Sequence, residues 1–165
     1  MADVEKFMGV SAGDIEKIMG VEAGDIEKVM GVELPAGAVY KVHTFTANGT
    51  FEVTTAGGNV NFLLIAGAGA GREGGSSEAG GGGAGGMLET TGQSVSVTTY
   101  AIVIGAGGSW DGNDSTGFGA TAVGGGHGAS GTATPGDGGS GGGAGSWGGG
   151  GGTGGSGTAG QSNDG

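Results

Sequence analysis

The chain lacks cysteine, has only 2 prolines, and carries 5 Lys and Arg residues against 16 Asp and Glu. Without cysteine, no disulfide or thiolate–metal framework holds the fold. Two prolines are too few for a collagen triple helix. A formal net charge of −11 argues against nucleic-acid binding, because phosphate groups are bound by clustered Lys and Arg. No apolar run reaches the ~18 residues that indicate a membrane span, and the start lacks the basic and apolar regions of a signal peptide.

The residue that is abundant is glycine, at 49 of 165 positions, against about 7 per cent in ordinary proteins. Its distribution divides the chain into three zones. Residues 1–34 hold 8 of the 16 acids but only 5 glycines, residues 35–123 alternate β-branched runs with glycine clusters, and residues 124–165 contain 22 glycines. We predict three domains with these boundaries: an assembly or docking segment, a glycine-rich β-domain and a Gly-X-Y region.

The first zone is a repeat with a period of 11 residues. The motif Asp-Ile-Glu-Lys-Ile-Met-Gly-Val beginning at Asp14 follows a variant copy that begins at Asp3 and is followed by another that begins at Asp25. Aspartate suits a helix N-cap, and Gly20 and Gly31 suit the left-handed residue that follows a helix. We therefore predict short α-helices, each under two turns and too short to be stable alone.

Such helices need a partner for their apolar side chains. One interpretation is that the repeats pack on each other; the one we favour is an assembly segment ordered by sister chains or by a larger particle. The side chains predicted to make this contact are Ile15, Ile18, Met19, Ile26, Val29 and Met30.

The second zone has the pattern of β-strands. Residues 39–46 and 50–55 flank Asn48-Gly49, a typical β-hairpin turn, and residues 59–65, 94–104 and 118–123 predict further strands. Together they predict a small antiparallel β-sandwich. Its expected core consists of Phe45, Phe51, Val53, Phe62, Leu64, Val97, Ile102 and Ile104.

The third zone contains glycine in a fixed register. Glycine occupies every third position from Gly136 to Gly160, nine times in succession. A period of three belongs to polyproline-II-type helices, and only a residue without Cβ lets backbones approach closely. We therefore predict polyglycine-II-like helices lying side by side. The alternative is a flexible Gly/Ser linker.

Sequence motifs for catalysis and cofactor binding are weak. The GxGxxG at residues 69–74 is followed by more glycine rather than by the helix that a dinucleotide fold requires. His43 and His127 are far apart and fit surface or strand positions better than zinc ligands. Asp111, Asn113 and Ser115 resemble the start of a calcium loop without its glycine and glutamate spacing. We predict no enzyme, no metal and no cofactor.

Three residues remain as candidates for surface recognition: Trp110, His127 and Trp147. Both tryptophans lie in loop-like or glycine-rich stretches with little core to join, and exposed aromatic side chains on rigid turns are common recognition groups. The alternative for each tryptophan is that it fills a gap between glycine helices or covers the sandwich.

Four segments in order resemble the glycine-rich domain of phage tail-fibre and related virion proteins: residues 42–51, 58–67, 80–87 and 102–108. The repeats are similar to the short Ile-x-Lys-Ile-x-Gly-Val repeats of phage structural proteins, and the Gly-X-Y zone to the polyglycine-II tips of phage fibre adhesins. The resemblance implies a structural or receptor-contacting role in a virion and no catalytic residues. Because such regions usually run on, we expect the sequence to be a piece of a longer chain.

The sequence as a whole predicts a mainly β protein: helical repeats, then a sandwich, then polyglycine-II-like helices. The expected function is that of a fibre or appendage subunit. It would form a homo-oligomer, trimer or higher, contact other virion proteins, and present its glycine-rich end to a host-cell receptor. One alternative is a self-assembling extracellular filament of a bacterium. A lesser one is an ice-binding protein, since some of those are polyglycine-II bundles.

Overall fold

The computed structural model describes residues 41–73, 78–147 and 150–161, together with six two-residue strands between Lys6 and Glu33. The chain forms two compact units, Met1–Thr44 and Phe45–Gly165. Over the described ranges the secondary structure consists of short antiparallel strand pairs without a helix, which confirms the prediction of a mainly β protein. It follows that none of the described residues forms a helix able to cross a membrane.

The repeats form three small hairpins where they are described. The strands are β1 (Lys6–Phe7), β2 (Val10–Ser11), β3 (Lys17–Ile18), β4 (Val21–Glu22), β5 (Lys28–Val29) and β6 (Val32–Glu33). Each odd-numbered strand pairs with the next, so that Ile18 lies opposite Val21 and Val29 opposite Val32.

The predicted short helices of the repeats are therefore wrong at these residues. The physical reason lies in the two residues between the paired strands, Met-Gly in every repeat. Glycine costs about 1 kcal/mol in a helix interior and is favoured in the two-residue connections of hairpins. At the described positions, the period of 11 residues thus repeats a pair of antiparallel strands.

The second unit begins with a long-range strand pair. β7 (Gly49–Glu52) pairs with β10 (Thr99–Ile102), with Phe51 opposite Tyr100. The predicted hairpin around Asn48-Gly49 is wrong, because residues 41–45 contain no strand. The Asn48 side chain instead accepts a hydrogen bond from the backbone N–H of Ile104, at 2.8 Å.

Two further pairs lie close to these strands. β8 (Gly58–Ile65), which matches the predicted strand at 59–65, pairs with β9 (Met87–Val95). β11 (Ser115–Gly117) pairs with β12 (Ala120–Ala122), and a bridge between Val103 and Thr116 joins this hairpin to the end of β10. A last short pair is formed by β13 (Ser146–Trp147) and β14 (Gly150–Gly151).

An aromatic cluster surrounds Phe118, in the turn of the β11–β12 hairpin. Its ring lies 5.3 Å from that of Phe51, 5.1 Å from Phe62 and 5.3 Å from Tyr100, centroid to centroid. Phe118 has a φ of 54° and Gly119 a φ of 80°. Positive φ at both central residues is typical of a type I′ hairpin turn. A bulky side chain there is strained, and the three ring contacts offset that strain.

The buried apolar residues only partly match the predicted core. Leu64 and Ile102 are buried as expected, and Val97 is exposed. The other five predicted core residues are half-buried. The buried hydrophobic residues also include Val95 and three alanines: Ala66, Ala122 and Ala129.

Beyond the strands, five glycine-rich segments are joined by backbone hydrogen bonds with a spacing of three residues. We call them the glycine bundle: residues 66–72, 80–86, 105–113, 123–129 and 136–143. The N–H groups at 66, 69 and 72 donate to the carbonyls of 86, 83 and 80. In the same way the N–H groups at 80, 83 and 86 donate to 129, 126 and 123. A contact that recurs every third residue brings one face of each segment to one neighbour.

Close approach of backbones explains why these positions are glycine. A Cβ on Gly69 would overlap the carbonyl oxygen of Gly126, and one on Gly83 the carbonyl oxygen of Ser140. A Cβ on Gly81 would instead meet open space, and in the same column along the segment the sequence places Ala84 and Met87. Two columns of 80–86 therefore face neighbours and the third faces outward.

The predicted register agrees with this packing over part of its length. Along 136–145, the glycines in phase with Gly136 would all collide with a neighbour if they carried a Cβ, and so would Gly138 and Gly141, which are out of that phase. Farther on, Gly151 lies in the predicted phase but in open space. As far as residue 145, close backbone contacts are therefore made by every glycine in the predicted phase and by two glycines outside it.

Candidate functional site

Two of the three predicted recognition residues lie side by side. The rings of Trp110 and His127 have centroids 4.0 Å apart, with 33° between their planes. Trp110 is 49% exposed, whereas His127 is buried. The backbone of Trp147 lies in β13, and its side chain is outside the described part of the chain.

Backbone hydrogen bonds on both sides of Trp110 fix its position. Its carbonyl accepts from Ala70 at 2.8 Å, and Gly112 donates to Gly125 at 2.8 Å. On the other side, Gly108 donates to Ala68 at 3.0 Å. The tryptophan is thus half-exposed on a backbone anchored to two other segments of the glycine bundle.

His127 is the one large side chain in the central segment of the bundle, residues 123–129. Residues 124–129 are all buried, and the segment exchanges backbone hydrogen bonds with each of the other four segments. The His127 Nδ1 atom lies 2.6 Å from Asp111 Oδ1, and its backbone N–H donates to the same oxygen at 2.9 Å.

Glycine at position 136 makes room for this pair. A Cβ there would overlap both Asp111 Oδ1 and His127 Nδ1, while the Gly136 N–H donates to the His127 carbonyl at 2.9 Å. The geometry of the pair therefore depends on the absence of a side chain at position 136 of the neighbouring segment.

Both hydrogen bonds from His127 act on the charge of Asp111. The side-chain bond, then the backbone bond, lower the pKa of the Asp111 carboxyl below its ordinary value, since both stabilise the ionised form. The Asp111 side chain is 49% exposed, and the two bonds occupy only Oδ1. A charged carboxylate thus faces solvent beside Trp110.

Sequence reasoning missed Arg72. Its guanidinium carbon lies 4.2 Å from the centroid of the Trp110 ring, within the range of a cation–π contact, and its side chain is exposed. The composition singles out this residue, because Arg72 is the only Lys or Arg between residues 42 and 165. A lone cation in an acidic region is a residue to examine for a partner, although its spacing from Trp110 does not predict one.

The three side chains of the calcium-like motif make hydrogen bonds to different parts of the unit. Asp111 binds His127, Asn113 donates to the Ala106 carbonyl through Nδ2, and Ser115 donates to the Ile65 carbonyl. The neighbouring Asp114 Oδ1 accepts from the Gly124 N–H. No cluster of three or more His, Cys, Asp or Glu side chains suited to a metal occurs among residues 41–73, 78–147 and 150–161.

The predicted assembly residues fall almost entirely outside the described residues. Ile18 and Val29 end strands β3 and β5, where only the backbone is described. The positions of Ile15, Met19, Ile26 and Met30 lie outside the described ranges. Their role in assembly stays a prediction.

Comparison with known proteins finds no matching family model, no similar curated protein and no similar solved structure. The site combines three chemical groups: an exposed aromatic ring, a guanidinium group and a carboxylate.

Proposed function

We propose that the protein is a structural subunit of a bacteriophage fibre or appendage, assembled through its N-terminal repeats and exposing a glycine-rich end to the host surface. The proposal begins from the four sequence segments that resemble tail-fibre domains. It places the protein in a virion, as a homo-oligomer in contact with other virion proteins, and assigns it no cofactor and no catalytic residue.

Within this proposal the segments of the glycine bundle are polyglycine-II-type helices. The supporting observation is the hydrogen bonding at every third residue between 66–72 and 80–86, and again between 80–86 and 123–129. Such helices have no internal hydrogen bonds, so their N–H and C=O groups must be satisfied by neighbouring segments. The strand pairs β7–β10 and β11–β12 on one side, with β8–β9 on the other, would form the small sandwich.

The observation that carries the functional proposal is the exposed Trp110 on hydrogen-bonded backbone. A flexible glycine linker would lose conformational entropy when it bound a surface, and this loss would weaken binding. Here the flanking backbone is anchored to residues 68, 70 and 125, so the side chains at 72, 110 and 111 are presented in one arrangement. A surface-contacting end of a fibre benefits from this pre-organisation.

Assembly is tested on the full-length chain by sedimentation analysis. The double variant Ile18→Asp, Val29→Asp should reduce a trimer or higher oligomer to monomer, because charges would be placed in the proposed contact. The variant Glu22→Gln, a polar change in the same repeats, is the control and should leave the oligomer intact. A monomeric wild-type protein, or oligomers that survive the double variant, would contradict the assembly role.

Electron microscopy separates the two main alternatives. Antibody labelling of host lysates should place the protein on phage particles. Label confined to free filaments that lengthen with protein concentration would contradict the virion role and favour the extracellular filament.

A further inference from the structure

Arg72, Trp110 and Asp111 combine three complementary kinds of surface in one patch. Trp110 offers an exposed aromatic ring. The guanidinium of Arg72 has hydrogen-bond donors and no acceptor, whereas an ionised Asp111 has acceptors and no donor. The contact between Arg72 and Trp110, 4.2 Å from guanidinium carbon to ring centroid, joins the first two groups. Asp111 follows Trp110 directly in the chain.

Each group is held in place by the glycine bundle. The Arg72 N–H donates to the Gly80 carbonyl at 3.2 Å, and the Trp110 carbonyl accepts from Ala70. Asp111 is fixed by the two hydrogen bonds from His127, both to Oδ1, which leaves Oδ2 outside that pair. His127 is thus a positioning residue, buried beneath the patch, that sets the orientation of both Asp111 and Trp110.

The charges of the patch select against ionic ligands. An anion would be attracted by Arg72 and repelled by Asp111, whereas a cation would be repelled by Arg72 and attracted by Asp111. A neutral ligand with hydroxyl groups can accept from Arg72 and donate to Asp111 at the same time. If it also has an apolar C–H face, it can cover the exposed part of the Trp110 ring.

We propose that Arg72, Trp110 and Asp111 form a binding site for a neutral saccharide. A pyranose ring combines the required features, since its hydroxyl groups both donate and accept and one of its faces carries C–H groups. The inference rests on the proposed function, in which the glycine-rich end meets a cell surface, and it names the chemistry of that contact.

The test is a titration of the full-length protein with sugars, followed through the indole N–H signals in proton–nitrogen spectra. The probes are galactose, glucose and N-acetylglucosamine, each neutral, with glucuronic acid and glucosamine as charged counterparts. At least one neutral sugar should shift the Trp110 signal with a dissociation constant on the order of 1 mM, more strongly than either charged sugar.

Two variants locate the binding. Arg72→Gln, at an exposed side chain, should weaken the titration at least about tenfold while the remaining signals keep their positions. Trp110→Ala removes the observed indole, so its binding is measured by calorimetry, and it should abolish the binding heat that the wild-type protein gives. Val97→Ala changes an apolar side chain that is also exposed, at 58%, and should leave the titration unaltered. Binding that survives Arg72→Gln, or that Val97→Ala weakens equally, would overturn the site.

A Trp110 signal unchanged by all neutral sugars up to about 100 mM, or moved more by glucuronic acid, would also overturn the inference. The oligomeric state of the same samples separates this failure from failure of the proposed function. Intact oligomers without sugar binding would remove only the saccharide site.

Discussion

The aromatic cluster around Phe118 and the glycine bundle build the interior of one unit by opposite means. In the cluster, rings from β7, β8 and β10 lie 5.1–5.3 Å from the ring of Phe118, centroid to centroid, and side chains fill the space between strands. In the bundle, backbones meet without side chains, and a single added Cβ at Gly69 or Gly83 would overlap a carbonyl oxygen. The first interior is stabilised by apolar surface removed from water, the second by backbone hydrogen bonds and close contact.

This difference reverses the usual rule for mutations. Where side chains form the core, removing atoms destabilises the protein, since it leaves a cavity. Where backbones form the core, adding atoms destabilises it, since segments must separate and their hydrogen bonds stretch. The four changes below test the contrast, ordered from the largest expected effect to the smallest.

Phe118→Ala should have the largest effect, a loss of about 3 kcal/mol in the free energy of unfolding, because three ring contacts disappear. Phe118→Asn is the matched variant: it also removes the ring, but asparagine tolerates positive φ better than alanine. Urea denaturation should therefore find Phe118→Asn less destabilising by roughly 1 kcal/mol. Equal losses would contradict the assignment of backbone strain to this turn.

Gly83→Ala should cost about 2 kcal/mol by the same measurement, because its methyl group would overlap the Ser140 carbonyl. Gly81→Ala is the control two residues away, where the methyl group enters open space. It should be neutral or stabilising by up to about 1 kcal/mol, since alanine lowers the entropy of the unfolded chain. The same small effect for both variants would indicate that the segment is not packed.

Ser115→Ala probes the junction of the two interiors. The Ser115 side chain is fully buried, and its hydroxyl accepts from the Gly105 N–H at 2.8 Å and donates to the Ile65 carbonyl at 2.7 Å. Its removal leaves two polar backbone groups without this partner, which should cost about 1–2 kcal/mol. Ser109→Ala, at an exposed position, is the control, and a similar loss there would show that the effect is not specific to the junction.

Asp111 should make the smallest contribution, and one that depends on pH. Because His127 lowers the pKa of Asp111 in the folded state below the ordinary 3.8, the pair stabilises the fold above about pH 4 and loses that contribution as the pH falls through the lowered value. Asp111 is half-exposed, so the effect should stay below about 1 kcal/mol. Asp111→Asn should flatten this part of the stability–pH curve, and an unchanged curve would argue against the pair.

The sequence predicted best what depends on neighbouring residues. The predicted strand at 59–65 became β8, and the glycines of the predicted register between 136 and 145 all lie in close contacts, together with two glycines outside it. It failed where the partner is distant. Asn48-Gly49 predicted a local hairpin, yet β7 pairs with β10, about 50 residues away.

The candidate site depends both on local sequence and on partners that are distant in the chain. Trp110 and His127 were identified from their unusual surroundings, but their contact follows from the way 105–113 and 123–129 pack, which no local pattern encodes. Asp111 reaches His127 across 16 residues. Arg72 joins Trp110 because its own segment lies against residues 110–113. In the repeats, a Met-Gly pair is compatible both with the end of a helix and with the connection of a hairpin. The sequence alone therefore did not distinguish the two, and the flanking residues pair as strands.

The most direct test of the ordered glycine bundle is amide hydrogen exchange, residue by residue, along 80–86. The N–H groups of Gly80, Gly83 and Gly86 each donate at 2.7 Å, and hydrogen bonds from this segment to described residues come from these three. We predict that their exchange is slowed at least about a hundredfold relative to 81, 82, 84 and 85, giving protection at every third residue. Uniform exchange at unprotected rates across the seven amides would contradict the bundle and identify the segment as a flexible linker.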